Sequence, residues 1–188
     1  MEFYPPGARV PEGLRTDRVL LRPLRGTDVE RDYDAVMSSA EQLRGWSQSD
    51  WPADGFTLAD NLEDLERHEA EHLEREAFTY TVLDPAGARC LGCVYLTPVG
   101  AETEALIAHG TYASTVGFWV RTSERASDLD RHLLSALRDW LAREWAFDRV
   151  VFTISAADER QASLLADAGL GELGAVTLDD GRACRVFG

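Results

Sequence analysis

Residues 114–141 read STVGFWVRTSERASDLDRHLLSALRDWL, and a change of period inside this stretch decides the fold. Val116, Phe118 and Val120 alternate with Gly117 and Trp119, the two-residue period of a strand rich in β-branched and aromatic side chains. From Leu129 onward the apolar residues are Leu129, Leu133, Leu137, Trp140 and Leu141, the spacing of a helix with one buried stripe. A short polar loop joins the two. A helix that opens directly after a strand aims unpaired amides and a positive dipole end beyond that strand, which suits a phosphate.

The flanking sequence supplies the other elements. Residues 1–12 carry three prolines and a glycine and predict an extended lead-in. Residues 14–24 predict a short strand that ends at Pro23. Residues 27–40 predict a helix capped by Thr27 or Asp28, with Val29, Tyr33, Val36 and Met37 on one face. The connection 45–55 holds Trp46 and Trp51. Residues 57–76 predict a long acidic helix with a stripe of Leu58, Leu62, Leu65 and Leu73. Residues 78–83 and 90–97 predict a hairpin around the turn 84–87, followed by a long loop to Ala113. After the central helix, residues 149–155 form a dense apolar strand, 158–168 a helix closed by Gly169, and 175–187 a terminal hairpin. Pattern alone gives α/β with a mixed sheet; the elements number about seven strands and about four helices, expected to form one domain over residues 14–188.

Composition narrows the function. The 188 residues are 45% hydrophobic and 28% charged, which suits a globular domain. The net charge of −14 argues against nucleic-acid and anionic-membrane partners, both of which need a basic face. Lysine is absent, which excludes Schiff-base chemistry through a lysine side chain. With no signal peptide or long apolar run in the sequence, the expected location is the cytoplasm. The three cysteines include Cys90 and Cys93, whose C-x-x-C spacing lies in a strand; three residues apart there, they are expected to face opposite ways. Residues 68–72 spell H-E-x-x-H, the zinc-hydrolase spacing, on a helix crowded with charge. That setting predicts a solvated face rather than a metal site.

Two segments carry a family resemblance. Gly117-Phe118-Trp119-Val120, a loop beginning near Arg125 and an amphipathic helix through Trp140 resemble the core of the GNAT superfamily of acyl-CoA-dependent N-acyltransferases. Residues 14–24, LRTDRVLLRPL, are similar to the first strand of the branch that acetylates protein amino termini, and Gly92 falls where that family has a glycine. The resemblance covers about residues 14–187. It implies acetyl-CoA as cosubstrate, held by Trp119, Val120, Arg121, the loop of Arg125, Ala126, Ser127, Asp128, Leu129 and Asp130, and Asp158. It further implies an acceptor side walled by Trp46 and Trp51, a small-molecule or peptide amine as acceptor, and room for a homodimer.

Several motif positions depart from the family pattern. The small residues of the phosphate loop are replaced by Asp128 and Asp130, and the Asn and Ser of the following helix by Asp158 and Gln161. Thr115 stands at the position of the general base, and Leu165 at that of the tyrosine acid, so no catalytic residue is assigned. Glu102, Glu104 and His109 in the long loop are alternative bases. The pair Ser127 and Asp130 also reads as a capping box in which the chain's own side chains occupy the helix mouth. Two functions therefore stand open: an N-acetyltransferase working by direct attack of an amine on acetyl-CoA, and a GNAT-fold binding module that has lost the cofactor.

Overall fold

The computed structural model describes residues 3–107 and 112–188. One eight-stranded sheet runs through the molecule in the order β1-β2-β3-β4-β5-β6-β8-β7. Its strands are β1 (Leu14–Arg15), β2 (Leu20–Pro23), β3 (Phe78–Leu83), β4 (Cys90–Pro98), β5 (Ala113–Val120), β6 (Arg149–Ser155), β7 (Glu172–Thr177) and β8 (Ala183–Phe187). All neighbours pair antiparallel except β5 and β6, which are parallel. The helices are α1 (Val29–Met37), α2 (Ala40–Ser47), α3 (Leu58–Glu74), α4 (Ala101–Glu104), α5 (Leu129–Glu144) and α6 (Glu159–Asp167).

Alternation along the strands builds a core on each face. Phe78, Tyr80, Val82, Val94, Leu96, Val116, Phe118 and Val120 meet the apolar stripe of α5 and Leu164 and Leu165 of α6. Leu83, Cys90, Cys93 and Trp119 look the other way, toward Ala35 and Val36 of α1, Leu43 of α2 and Leu65 of α3. The lead-in has no regular structure but is anchored: Tyr4 is buried against Phe78, Trp145 and Phe147, its hydroxyl accepts from Ala146 N at 3.0 Å, and Arg75 donates to the carbonyls of Pro5, Pro6 and Ala8.

The architecture has the expected elements with added detail. The first predicted strand is two, β1 and β2, because Thr16 Oγ1 accepts from Arg18 N and Val19 N and turns the chain back on itself. The α2 helix covers residues expected to be loop, and a short α4 interrupts the long connection after β4.

Three local expectations are corrected. On α3 only Leu65 of the predicted stripe is buried, while Leu58 and Leu73 are exposed. The inward face instead carries Asn61, Leu65, His68 and His72, so the histidines are not on a solvated face: His68 lies beside the Tyr95 ring and His72 against Phe78 and Tyr80. On β4, Cys90 and Cys93 face the same side, because the register slips between Val82 and Leu83. A β-bulge adds one residue and restores the parity that three positions would break.

Candidate acyl-transfer cleft

The parallel pairing of β5 and β6 runs only from Ala113↔Arg149 to Val116↔Phe152. Beyond Val116 the strands part. Arg121 N donates to Leu91 O across β4, so by alternation Val120 one residue earlier turns its N–H and C=O into the gap. Two glutamines already reach the strand edge there. Gln161 Nε2 donates to Phe118 O at 2.7 Å, and Gln42 Nε2 to Val120 O at 2.9 Å.

The gap opens into a cleft of about 690 Å³ lined by the start of α2, Trp46, Thr122, Arg125, Ser155 and Asp158. A second cavity of about 410 Å³ adjoins it and shares Trp46 and Ser155. Its walls include Tyr95, Thr115, Gly117, Arg182 and Cys184. A Cβ on Gly117 would sit 3.5 Å from the Trp46 ring, so the indole lies directly over the strand at the junction of the two spaces.

The loop between β5 and α5 is wound into a 3₁₀ helix, Thr122–Ser127, ending at Asp128 with φ 53°. The predicted capping box does not form. Ser127 Oγ turns back to donate to Glu124 O, and the carboxylate of Asp130 is claimed by Arg160 on α6, with Nε at 2.7 Å and a terminal nitrogen at 3.0 Å. The same guanidinium donates to Arg125 O at 2.8 Å and lies 3.8 Å from Asp128. Asp130 is thus buried as an ion pair, and its carboxylate holds the Arg160 guanidinium above the usual arginine range. Arg18 meanwhile ties down Ser127 O at 2.8 Å.

The residues named from sequence divide into three groups. Arg125, Asp158 and Trp46 meet at the cleft, and the Val120 backbone lies behind its lining residue Gln42, which bonds Val120 O. Ala126, Ser127 and Asp128 lie on the exposed loop beside it. Trp119, Arg121 and Leu129 turn their side chains inward: Trp119 toward Tyr95 Oη at 3.2 Å, Arg121 onto Cys90 O at 2.7 Å and into an ion pair with Asp34, and Leu129 into the core. Trp51 lines a separate, smaller cavity. Asp158 caps α6 through Gln161 N at 2.9 Å. Glu102 and Glu104 do not line the cleft, and His109 lies outside the described residues. Sequence reasoning missed Gln42 and Arg160, which belong to no motif.

The titratable groups among the described residues lining the second cavity are unsuited to take a proton. Burial pushes the Tyr95 hydroxyl and the Cys184 thiol up, so both stay protonated, and Arg182 is paired with Asp180 at 2.8 Å. In the 68–72 motif, Glu69 accepts from Gly26 N at 2.8 Å and His68 Nδ1 lies 2.9 Å from Glu71. Among the described residues no group of three His, Cys, Asp or Glu side chains is arranged to hold a metal ion, and no helix is long and apolar enough to cross a membrane.

The model of the acetyltransferase (GNAT) domain matches residues 18–170. The chain belongs to the GNAT acetyltransferase family. Solved structures share the fold of this GNAT domain at low identity. The ribosomal-protein-S5-alanine acetyltransferase from Vibrio fischeri superposes with a TM-score of 0.72 at 16% identity over 93% of this chain and 94% of that one. RimJ from Mycobacterium smegmatis, in complex with CoA-disulfide, gives 0.71 at 19% identity over 95% and 83%. The microcin C7 self-immunity acetyltransferase MccE, in complex with acetyl-CoA and AMP, gives 0.74 at 12% identity over 95% and 96%. No curated protein sequence matches the chain.

Proposed function

We propose that this GNAT domain transfers an acetyl group from acetyl-CoA to the amine of a cationic acceptor. The observation that carries the reading is the parting of β5 and β6, which leaves the Val120 N–H and C=O pointing into the gap beside a cleft of about 690 Å³. An extended ligand with amide groups can pair with such an open strand edge as an added strand would. Acetyl-CoA supplies an activated thioester carbonyl. The Val120 N–H suits the oxyanion that forms on that carbonyl when an amine attacks, a contribution that needs no side chain. Arg125 lines the cleft, and Arg18 lies at the same loop, offering positive charge to phosphates. RimJ and MccE, which share the fold, were solved with CoA species bound. The chain's net charge of −14 draws cationic acceptors toward it.

Calorimetric titration with acetyl-CoA tests the first half. Micromolar binding by the wild-type protein is expected, and heat indistinguishable from buffer even at millimolar ligand would sink the reading. Asp128→Gly is expected to tighten binding about four-fold, since one unit charge about 5 Å from a phosphate costs roughly 0.8 kcal/mol at bulk-water dielectric. The backbone at Asp128, with φ 53°, accepts glycine without strain.

Among the described residues no ionisable group lining the 410 Å³ cavity suits a base, so on this reading the attacking amine arrives neutral or loses its proton to water. The rate constant kcat/KM is therefore expected to rise about ten-fold per pH unit toward the acceptor's own pKa. A plateau beginning near pH 6 would instead reveal a protein base.

A second reading, a binding module without catalysis, is favoured by the Gln42 and Gln161 bonds, which occupy the strand carbonyls an extended ligand would use. The same titration decides between them.

A further inference from the structure

We propose that the cavity enclosed by α1, α2, α3 and the sheet binds a primary alkylammonium group, held by the Asp32 carboxylate among Trp46, Trp51, Tyr95 and Trp119. The cavity measures about 230 Å³, room for a short alkyl chain and its charged end. Asp32 lies in its wall with 3% of its surface exposed. Asn61 Nδ2 donates to its Oδ2 at 3.1 Å, and the Cys90 and Cys93 thiols approach Oδ1 at 3.8 and 3.7 Å. None of these partners carries positive charge.

The cations that might have answered it are committed elsewhere. Arg22 and Arg31 both pair with Asp28, and Arg121 pairs with Asp34. Among the described residues no arginine or histidine forms an ion pair with Asp32. A carboxylate taken out of water without a counter-ion is costly to keep, and a bound cation would supply what the chain does not.

The remaining walls suit the same ligand. Three indoles and a phenol line the cavity, and aromatic π systems attract ammonium groups, more strongly when water is excluded. Other charges around the cavity do not oppose this. Arg67 is bonded to Asp64 at 3.2 Å and to Glu71 at 3.0 Å, so its charge is matched by two carboxylates, and burial keeps His68 neutral. Donors on a primary ammonium can use the second lone pair of each Asp32 oxygen, which a quaternary ammonium cannot.

Trp46 and Tyr95 line both this cavity and the 410 Å³ space beside the cleft. On the acyltransferase reading, on which this step rests, the acceptor carries two cationic nitrogens: one placed for attack and one on Asp32.

The test uses the wild-type protein without acetyl-CoA, so it does not depend on acyl transfer. Tryptophan fluorescence is followed while n-butylammonium chloride or its neutral counterpart n-butanol is added. Saturable binding of butylammonium, at least ten-fold tighter than butanol, is expected, and Asp32→Asn is expected to abolish the preference. Equal responses to amine and alcohol in the wild type would overturn the proposal, as would a preference that survives in Asp32→Asn. The wild-type comparison stands by itself if the variant does not fold. Butylammonium binding by a protein that does not bind acetyl-CoA in calorimetric titration would support the site and remove the acyltransferase reading.

Discussion

An Asp32→Asn variant is expected to be more stable than the wild-type protein at pH 7 and, near pH 3, to have lost that advantage, its stability equal to or up to about 2 kcal/mol below the wild type. Burial, opposed only in part by the Asn61 and cysteine hydrogen bonds and aided by the nearby charge of Asp28, raises the Asp32 carboxyl to about 6 from its ordinary 3.8. For an acid whose folded pKa is raised, the native state holds the proton more tightly than the unfolded chain. Stability attributable to Asp32 is therefore full below about pH 4 and falls as pH rises through 6, the reverse of an ion-paired aspartate. A shift of this size corresponds to roughly 3 kcal/mol at pH 7. Part of the gain is lost because the asparagine amide must rebuild its bonds to Asn61 and the thiols, leaving about 1–3 kcal/mol. Since 1 kcal/mol moves Tm by about 2–4 °C in a domain of this size, Tm should rise by about 2–12 °C. Thermal melts of both proteins from pH 3 to 8 check this. Parallel curves across that range would show that Asp32 is not a buried, uncompensated charge. The charged and ionisable groups near Asp32, among them Asp28, Asp64 and His68, are present in both proteins. A residue kept at such a cost to stability is more readily understood as serving a ligand than as serving the fold.

How far the sequence could be read follows from what each pattern measures. The switch from period two to period three-and-four at residues 116–141 is set by apolar side chains alone, and β5 and α5 fall where it puts them. The mixed sheet follows from that switch, whereas the GNAT family is legible only through the resemblance of this stretch and of the opening strand to the family's motifs. Where polar side chains turn inward, pattern fails. Asp32, Asn61, His68 and Cys93 count as surface or neutral positions in any hydrophobic period, yet they meet in one interior space because Asn61 satisfies Asp32 and a bulge returns Cys93 to that face. The cofactor loop shows the other limit. Asp130 reads as a capping residue from its neighbours in sequence, but its partner Arg160 lies thirty positions away, and no local spacing reports a contact of that range.

The same bulge yields the prediction with the largest structural effect. Gly92→Ala is expected to cost about 3 kcal/mol or more and to scramble the Asp32 cavity. At Gly92, φ is 158°, and a Cβ built there would lie 2.0 Å from the carbonyl oxygen of Trp119 and 2.9 Å from the Cα of Val120. Both are backbone atoms of the neighbouring central strand, so relief requires β4 and β5 to separate rather than one side chain to rotate. Such overlap belongs among the few single-residue mechanisms that exceed ordinary mutational losses. The damage should be directed. Separation at Gly92 pulls at Val120, whose amide faces the cleft, and at the Val82/Leu83 slip that brings Cys90 and Cys93 to one side. Denaturant melts should show a loss of about 3 kcal/mol or more, and butylammonium binding should fail in protein that is still folded at low temperature. A Gly92→Ala protein with wild-type stability would mean that β4 does not approach β5 this closely, and the placement of both the cleft and the Asp32 cavity would have to be redrawn.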